Sequence, residues 1–356
     1  MTALTRVAVL YGGQSTEHSV SCISAGAVMA HLDPQRFDVV PIGITPDGVW
    51  TPGVRDGLKI VDGVLPEVKG EKELALSLNP AKRGHIYDVE TGELFAQVDV
   101  VFPVLHGQCG EDGTVQGLLE LAGMPYVGTG VLSSAVSMDK EYMRKLIAAE
   151  SLPVTRDIVL HEQRELTDEE KDYLGLPVFV KPARGGSSIG VSKVTQWSDF
   201  AQAVAVAGES DTKIMVEAEV VGPEVEIGVL QLPDGTLIAS VPAQLEGTEE
   251  GSEGFYDFEA KYLEDVVSAT IPAPLSDDNI ALLKDIAIKT FRALNCEGLS
   301  RVDFFMTDNG PVINEINTLP GFTPISMYPQ VFAASGIAYA DLLTILIDTA
   351  LQRTRL

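Results

Sequence analysis

The sequence predicts an α/β (α+β) protein of more than one domain, and three observations carry that prediction. Its 356 residues are enough for two or three separate cores. At the N-terminal end a buried-type run, Val7-Ala-Val-Leu10, is followed by helical spacing from Ser19 to Leu32. A second run from Phe37 to Ile44 completes the order of a parallel β–α–β unit. From about Ser137 the pattern changes to short strands interleaved with helices, and near the C-terminus two strands meet at a turn within Leu299 to Thr323.

Composition narrows the partners. A hydrophobic share of 45% and a charged share of 21% are ordinary for a globular protein. A formal net charge of −26 argues against nucleic acid and against an anionic membrane surface, because both need basic patches. Phosphate ligands then require a few Lys and Arg gathered locally. Cys22, Cys109 and Cys296 form no disulfide framework and none has metal-ligand spacing; they are expected to be buried thiols in a reducing cytoplasm. No N-terminal signal, membrane-length apolar run, repeat or low-complexity tract is visible.

Taken in order, the first strand ends at Tyr11-Gly-Gly-Gln-Ser-Thr-Glu17, where Gly12 and Gly13 permit a tight turn before a helix N-terminus. Glu17 either favours the helix dipole there or holds a substrate ammonium. Residues 45–97 give a weak signal, read as irregular structure with one extra hairpin. Val98 to Leu105 is a strand, and His106-Gly-Gln-Cys-Gly-Glu-Asp-Gly113 is the loop at its ligand-facing end, with His106 either structural or substrate-positioning. Thr114 to Ala122 is helical, Met124 to Gly128 a short strand, and Ser137 to Ala149 a helix. Strands at Val154–Leu160, Val178–Lys181, Val191–Val194 and Ile214–Glu217 follow, with helices at Asp168–Tyr173 and Ser198–Ala207. The last part holds a strand from Glu224 to Leu230, a turn at Pro233-Asp-Gly235, and a helix from Asp277 to Leu294. The paired strands and a helix from Tyr339 to Leu351 close it.

Three further stretches carry chemistry. In Lys181-Pro-Ala-Arg-Gly-Gly-Ser-Ser-Ile-Gly190 a lysine ends an apolar strand, and a loop rich in backbone N–H groups and hydroxyls follows. That combination suits phosphate oxygens, although it is not a Walker A sequence. Met215-Val-Glu-Ala-Glu-Val-Val-Gly-Pro-Glu224 is an apolar strand leaving through Gly-Pro, readable as a hinge that meets a purine or as a solvated linker. Residues 246–262 form a long glycine-rich loop, which inside a compact domain suggests a lid, with Lys261 and Tyr262 at its end.

The face of the final strand pair depends on its turn. A two-residue Asn309-Gly310 loop pairs Asp308 with Pro311 and sends Asp303 and Glu315 to opposite faces. A three-residue Asp308-Asn309-Gly310 loop with Gly310 left-handed pairs Thr307 with Pro311, setting Asp303 opposite Glu315 and Arg301 opposite Asn317. Facing carboxylates need a cation between them, and two carboxylates with an amide oxygen are a hard-oxygen set suited to Mg²⁺ beside phosphates. The lysines, glycine loop and lid elsewhere in the chain favour the three-residue turn.

Together these stretches resemble the ATP-grasp superfamily and, within it, the D-alanine–D-alanine ligase family. The matching residues run in family order over nearly the whole chain. They are Gly12 to Ser21, His106-Gly…Gly110-Glu-Asp-Gly113, Ser137-Met-Asp-Lys140, Lys181 to Ser188, Phe255 to Tyr262, Arg301-Val-Asp303 and Asn314 to Thr323. The resemblance implies three α/β domains, at 1–137, 138–221 and 222–356, with ATP as co-substrate between the second and third. It implies two Mg²⁺ ions (Mn²⁺ able to substitute) on Asp303, Glu315 and Asn317. By the same resemblance Lys140, Lys181, Ser187, Ser188 and Lys261 contact nucleotide phosphates, and Glu217, Val220 and Glu224 contact adenine and ribose. Glu17, in a set with Ser187 and Tyr262, meets the first D-alanine, with His106 beside it. Arg301 and the Gly321 amide stabilise an oxyanion, and Ser326 with Met327 meets the second substrate. A cytoplasmic homodimer serving peptidoglycan synthesis is implied too. Relatives with other second substrates (D-lactate, D-serine) and a non-catalytic ATP-binding protein are the alternatives; Tyr262 speaks for the dipeptide-forming members. Two positions depart from the family: Ala218 where many relatives have Lys, and Gly185 where many have Glu.

Overall fold

The computed structural model describes residues 3–186, 189–246, 268–323 and 325–353. Its first sheet is built by β1 (Thr5–Gly12), β2 (Phe37–Ile44), β3 (Trp50–Pro52) and β7 (Val100–Val104), in the order β3-β2-β1-β7. β1 pairs in parallel with both β2 and β7, so the strand order reverses beside β1. A crevice at the C-terminal ends of β1 and β7 follows from that reversal. Helix α1 (His18–His31) makes the crossover from β1 to β2, as the apolar spacing predicts.

Residues 45–97 hold more structure than one hairpin. β3 joins the first sheet, and β4 (Leu74–Leu76), β5 (His85–Asp88) and β6 (Leu94–Gln97) form a separate antiparallel sheet. Strands this short carry too little alternation to be read from sequence. Met124 to Gly128 forms no full strand; only a bridge between Val101 and Tyr126 is made. α2 (Thr114–Leu121) forms where the sequence predicts a helix, but the expected helix from Ser137 to Ala149 is instead two, α3 (Val131–Met138) and α4 (Lys140–Ala149). Asp139 breaks between them and caps α4 through its carboxylate. Cys22 and Cys296 are buried, with burial pushing both thiols up to about 12, whereas Cys109 is exposed, contrary to expectation. Cys109 sits in the loop after β7 at φ +66, where the chain turns back on itself and leaves the thiol outside.

A second, wholly antiparallel sheet orders β10 (Ser192–Val194), β9 (Val178–Pro182), β11 (Ile214–Ala218) and β8 (Asp157–Leu160). Helices α5 (Asp168–Leu174) and α6 (Phe200–Gly208) accompany it, and Leu174, Phe200 and Val204 close its core. The long third sheet runs β15 (Ser268–Thr270), β14 (Ala243–Glu246), β12 (Glu224–Gln231), β16 (Leu299–Thr307), β17 (Gly310–Asn317), with β13 (Leu237–Ala239) also on β12. Its core joins α4 and α7 (Asp277–Ala293): Met143 and Ile147 pack with Val225, Leu283, Phe304 and Ile313. Helices α8 (Met327–Ala334), not foreseen from the sequence, and α9 (Tyr339–Gln352) return to the first sheet. There Phe332 and Leu343 share a core with Val7 and Phe102. Among the described residues no single helix is long and apolar enough to cross a membrane.

Where the second sheet hands over to the third, Gly222 lies at φ +156 against the back of β16; a Cβ there would meet the Met306 carbonyl oxygen at 2.2 Å. Backbone cannot yield as a flexible side chain can. Gly222→Ala is therefore expected to destabilise by about 1–3 kcal/mol, read as a fall in Tm by thermal unfolding of the full chain.

Candidate active site

The β16–β17 pair places Asp303 directly opposite Glu315 and Arg301 opposite Asn317, by a route the sequence did not suggest. The turn is a two-residue Asp308-Asn309 loop closed by Thr307 and Gly310, in place of the expected three-residue loop pairing Thr307 with Pro311. Thr307 Oγ1 closes it by accepting from the Asn309 N–H at 3.1 Å and donating to the Gly310 carbonyl at 2.8 Å. Gly310 does take a positive φ, +109. Met306 thus pairs with Pro311, and an irregularity between Asp303 and Phe304 absorbs Asn314 as the extra residue. The buried residues Ile313 and Ile316 are three apart instead of two, the one sequence sign of that bulge.

Asp303 accepts two bonds from the Arg301 guanidinium, at 2.8 and 2.7 Å, and one from Asn317 Nδ2 at 2.9 Å. Arg301 has a second carboxylate 3.2 Å away, Glu226 on β12, which pairs in register with Asp303 from the other side. Glu226 is buried and was missed in the sequence, where one acid in an apolar strand looks like any exposed one. Lys140 lies 3.4 Å from Glu315 and donates to the Gly185 carbonyl at 2.8 Å, joining the start of α4 to both the third sheet and the glycine loop. Burial alone would raise the Glu315 carboxyl, but Lys140, Lys181 and Arg301 overcome it and hold it at about 2. Burial likewise opposes the charge on Arg301, yet Asp303 and Glu226 keep it firmly protonated. The donor set fits a hard divalent cation: two paired carboxylates and an amide stand on one face, and Glu226 can keep Arg301 paired if Asp303 turns to a metal.

Glu217 and Lys181 meet across neighbouring strands β11 and β9 in a buried ion pair, and Arg144 of α4 donates to the same carboxylate at 2.5 Å. Arg144 also lies 3.4 Å from Asp157 on β8. Burial would raise Glu217, but Arg144 and Lys181 hold it down at about 2; burial lowers Lys181 while Glu217 opposes that. Arg144 carries no motif in the sequence; its role depends on a helix belonging to one core reaching into the sheet of another.

Lys140, Lys181, Glu217, Glu226, Arg301, Asp303, Glu315 and Asn317 line one cavity of about 360 Å³ together with Glu17, His106, Val220, Glu224 and Gly321, while Arg144 and Asp157 stand behind its wall. Glu17 stands at the N-terminus of α1, and a side chain at Gly107 would come within 3.1 Å of its Oε2. Glu111, on the His106 loop, accepts from the Gly107 and Leu319 N–H groups at 2.7 and 3.2 Å. Burial and the nearby Glu17 push Glu111 up to about 8 against those two donors. Ser326 and Met327 do not line this cavity: Ser326 Oγ is taken up by the Thr323 N–H at 3.0 Å and hydroxyl at 2.8 Å, at the start of α8. Ser187, Ser188, Lys261 and Tyr262 lie outside the described residues.

A cavity with lysines beside a glycine loop, a hard-oxygen face and an acid at a helix start, closed between an antiparallel sheet and a long mixed core, defines an ATP-grasp ligase fold. Residues 6–129 match the family described as "D-ala D-ala ligase N-terminus" and residues 145–348 match "D-ala D-ala ligase C-terminus". The chain belongs to the D-alanine–D-alanine ligase family. It is 62% identical to the D-alanine–D-alanine ligase of Corynebacterium diphtheriae, covering 99% of this chain and 97% of that one. The ligase of Mycolicibacterium smegmatis is 56% identical, covering 98% of this chain and 96% of its own. Among solved structures, the VanG D-Ala:D-Ser ligase of Enterococcus faecalis superposes with a TM-score of 0.83 at 35% identity, over 98% of this chain and 100% of that one. The D-alanine–D-alanine ligase of Coxiella burnetii gives 0.82 at 32%, over 98% and 94%.

Without Arg144 the Glu217 carboxylate keeps only Lys181, so the cost stays below the about 3–5 kcal/mol of a buried ion pair left with no partner. Arg144→Met should accordingly lower Tm. The Glu217 carboxyl is depressed in the folded chain, so the stability it contributes is complete above the ordinary Glu value of about 4.3 and is lost as pH falls toward 2. Arg144→Met should make the fall in Tm across that acid window shallower, measured by thermal scans between about pH 5 and the lowest pH at which the chain stays folded.

Proposed function

We propose that this chain joins two D-alanines into D-alanyl-D-alanine, with cleavage of ATP to ADP and inorganic phosphate. The observation that carries the reading is the single cavity in which the Asp303–Glu315 face, Lys140, Lys181 and Glu17 converge. A carboxylate is a poor electrophile, so one carboxylate oxygen of the first D-alanine attacks the γ-phosphorus and ADP departs, giving an acyl phosphate. The second D-alanine, its ammonium deprotonated, attacks the acyl carbon through its amine nitrogen. The tetrahedral adduct collapses with loss of inorganic phosphate and formation of the amide. Charge moves onto oxygen in both steps, so the work is mostly electrostatic.

In this reading Lys140 and Lys181 neutralise the nucleotide phosphates, leaving Glu315 and Glu217 as they do so. Asp303, Glu315 and Asn317 hold two Mg²⁺ ions, which when bound offset phosphate charge. Because the Glu217 side chain is committed to Arg144, adenine is met by the backbone of 217–220 and ribose by Glu224. Glu17 holds the ammonium of the first substrate; Arg301 and the Gly321 N–H face the developing oxyanion. Ser187, Ser188, Lys261 and Tyr262 complete the phosphate and amino-acid contacts, and Ser326 with Met327 meets the second substrate once the Ser326 hydroxyl leaves Thr323. The lobes at 1–137, 138–221 and 222–356 grip ATP between the second and third. A cytoplasmic homodimer supplying peptidoglycan precursors completes the reading.

Phosphate release in the presence of Mg²⁺-ATP should follow addition of D-alanine and not of L-alanine, and should be followed with each amino acid in turn. Failure to respond to D-alanine sinks the assignment, whereas a larger response to D-alanine with D-serine or D-lactate would move the chain to another second substrate. Glu315→Gln should raise the Mg²⁺ and ATP requirement and lower kcat by about 10²-fold or more, and Glu17→Gln should mainly raise the D-alanine KM. Normal steady-state kinetics in Glu315→Gln would remove the metal role of the paired strands.

A further inference from the structure

The peptide unit of Leu319 is held on both sides by the loop that follows β7. Its N–H donates to Glu111 Oε1 at 3.2 Å, and its carbonyl accepts from His106 Nδ1 at 3.1 Å. That carbonyl settles the imidazole tautomer, leaving Nε2 to accept from the Ser24 hydroxyl 3.3 Å away on α1. Ser24 Oγ in turn accepts from the Phe322 N–H at 3.4 Å. The other Glu111 oxygen takes the Gly107 N–H at 2.7 Å, fixing the loop that carries His106. Ser24, His106 and Leu319 are all buried, so these bonds are made away from water. Residues 319 and 322 are therefore pinned by three side chains of the first lobe, and Gly321, which lines the cavity, lies between them.

We propose that Glu111 is a positioning residue for the ligation: with His106 and Ser24 it clamps the Leu319–Phe322 turn and so aims the Gly321 N–H at the reacting carbonyl oxygen. The proposal rests on the reading above in which that N–H meets the oxyanion. It also changes the part given to His106, whose two ring nitrogens serve the turn. The chemistry asks for this arrangement. An oxyanion donor counts only if it stands where the charge develops, and about 1 Å of misplacement can cost about 10²-fold in rate. Among the described residues no backbone hydrogen bond is made by Pro320 or Gly321, so the turn is held by the clamp and by Tyr339, whose hydroxyl donates to the Phe322 carbonyl at 2.7 Å.

The test compares Glu111→Gln and Ser24→Ala with the unaltered full chain. It measures kcat, the KM values for ATP and D-alanine, Tm, and inhibition by a phosphinate dipeptide that mimics the tetrahedral adduct. Glu111→Gln keeps the side-chain shape but replaces one acceptor oxygen by a donor facing an N–H. The expected result is a fall in kcat of about 10- to 100-fold with the ATP KM within about twofold, and phosphinate affinity falling in step with kcat/KM. Ser24→Ala should show the same pattern more weakly. A loss of Tm with kcat and phosphinate affinity unchanged would mean a purely structural clamp and overturn the proposal, as would an equal loss of ATP and phosphinate affinity. If Glu111→Gln does not fold, Ser24→Ala decides by the same comparison. Should the unaltered chain fail to respond to D-alanine, it is the functional reading that falls; an active parent with unchanged variants removes the clamp alone.

Discussion

Asp303 and Glu315 stand across from each other on adjacent strands, and most of the site follows from keeping them there. Two carboxylates roughly 5 Å apart repel by about 3 kcal/mol at an effective dielectric of about 20. A favourable cross-strand pair contributes at most about 1 kcal/mol, so the ladder alone does not hold them. Arg301 on the same strand and Lys140 from α4 supply the missing charge. In a chain of net charge −26 these cations are not drawn from a general surplus; they are brought in one by one by separate elements. Ligands that carry their own cations and phosphates can then exchange with side chains already in place.

Helix α4 shows how the cations are delivered. Met143 and Ile147 fasten one side of it to the third sheet, while Arg144 reaches the second sheet and Lys140 stands at its first turn beside the glycine loop. Asp139 begins the helix and also binds Lys213 of the second sheet region at 2.5 Å. One short helix therefore ties the two walls of the cavity by packing on one side and by ion pairs on the other. Glu226 plays a matching part for Arg301 within the third sheet.

Much of the fold was legible because long elements carry their own periodicity. The parallel β1–α1–β2 unit, the separate strands of the second sheet and the long helix before β16 came within a few residues of their observed limits, whereas the antiparallel pairing of those strands is seen only in the structure. The 45–97 region and α8 were not legible: three-residue strands have no period to detect, and α8 is apolar on most sides because it is packed between two sheets. The site divided the same way. Lys140, Lys181, Asp303, Glu315 and Asn317 stand in local motifs and meet in the cavity, whereas Arg144 and Glu226 are ordinary charged residues until distant strands close around them.

The paired strands at 299–317 show where the two kinds of information part. Sequence by itself determined that two acids, an arginine and an asparagine alternate with apolar residues there, and that their sharing one face would make a cation site. Only the tertiary structure decided how they come to share it. The two-residue Asp308-Asn309 loop alone would have put Glu315 out of phase with Asp303, and a bulge at Asn314 restores the register. A turn is governed by neighbours a few residues apart, but a bulge is settled by packing, here by Ile313 and Ile316 both entering the core of the third sheet.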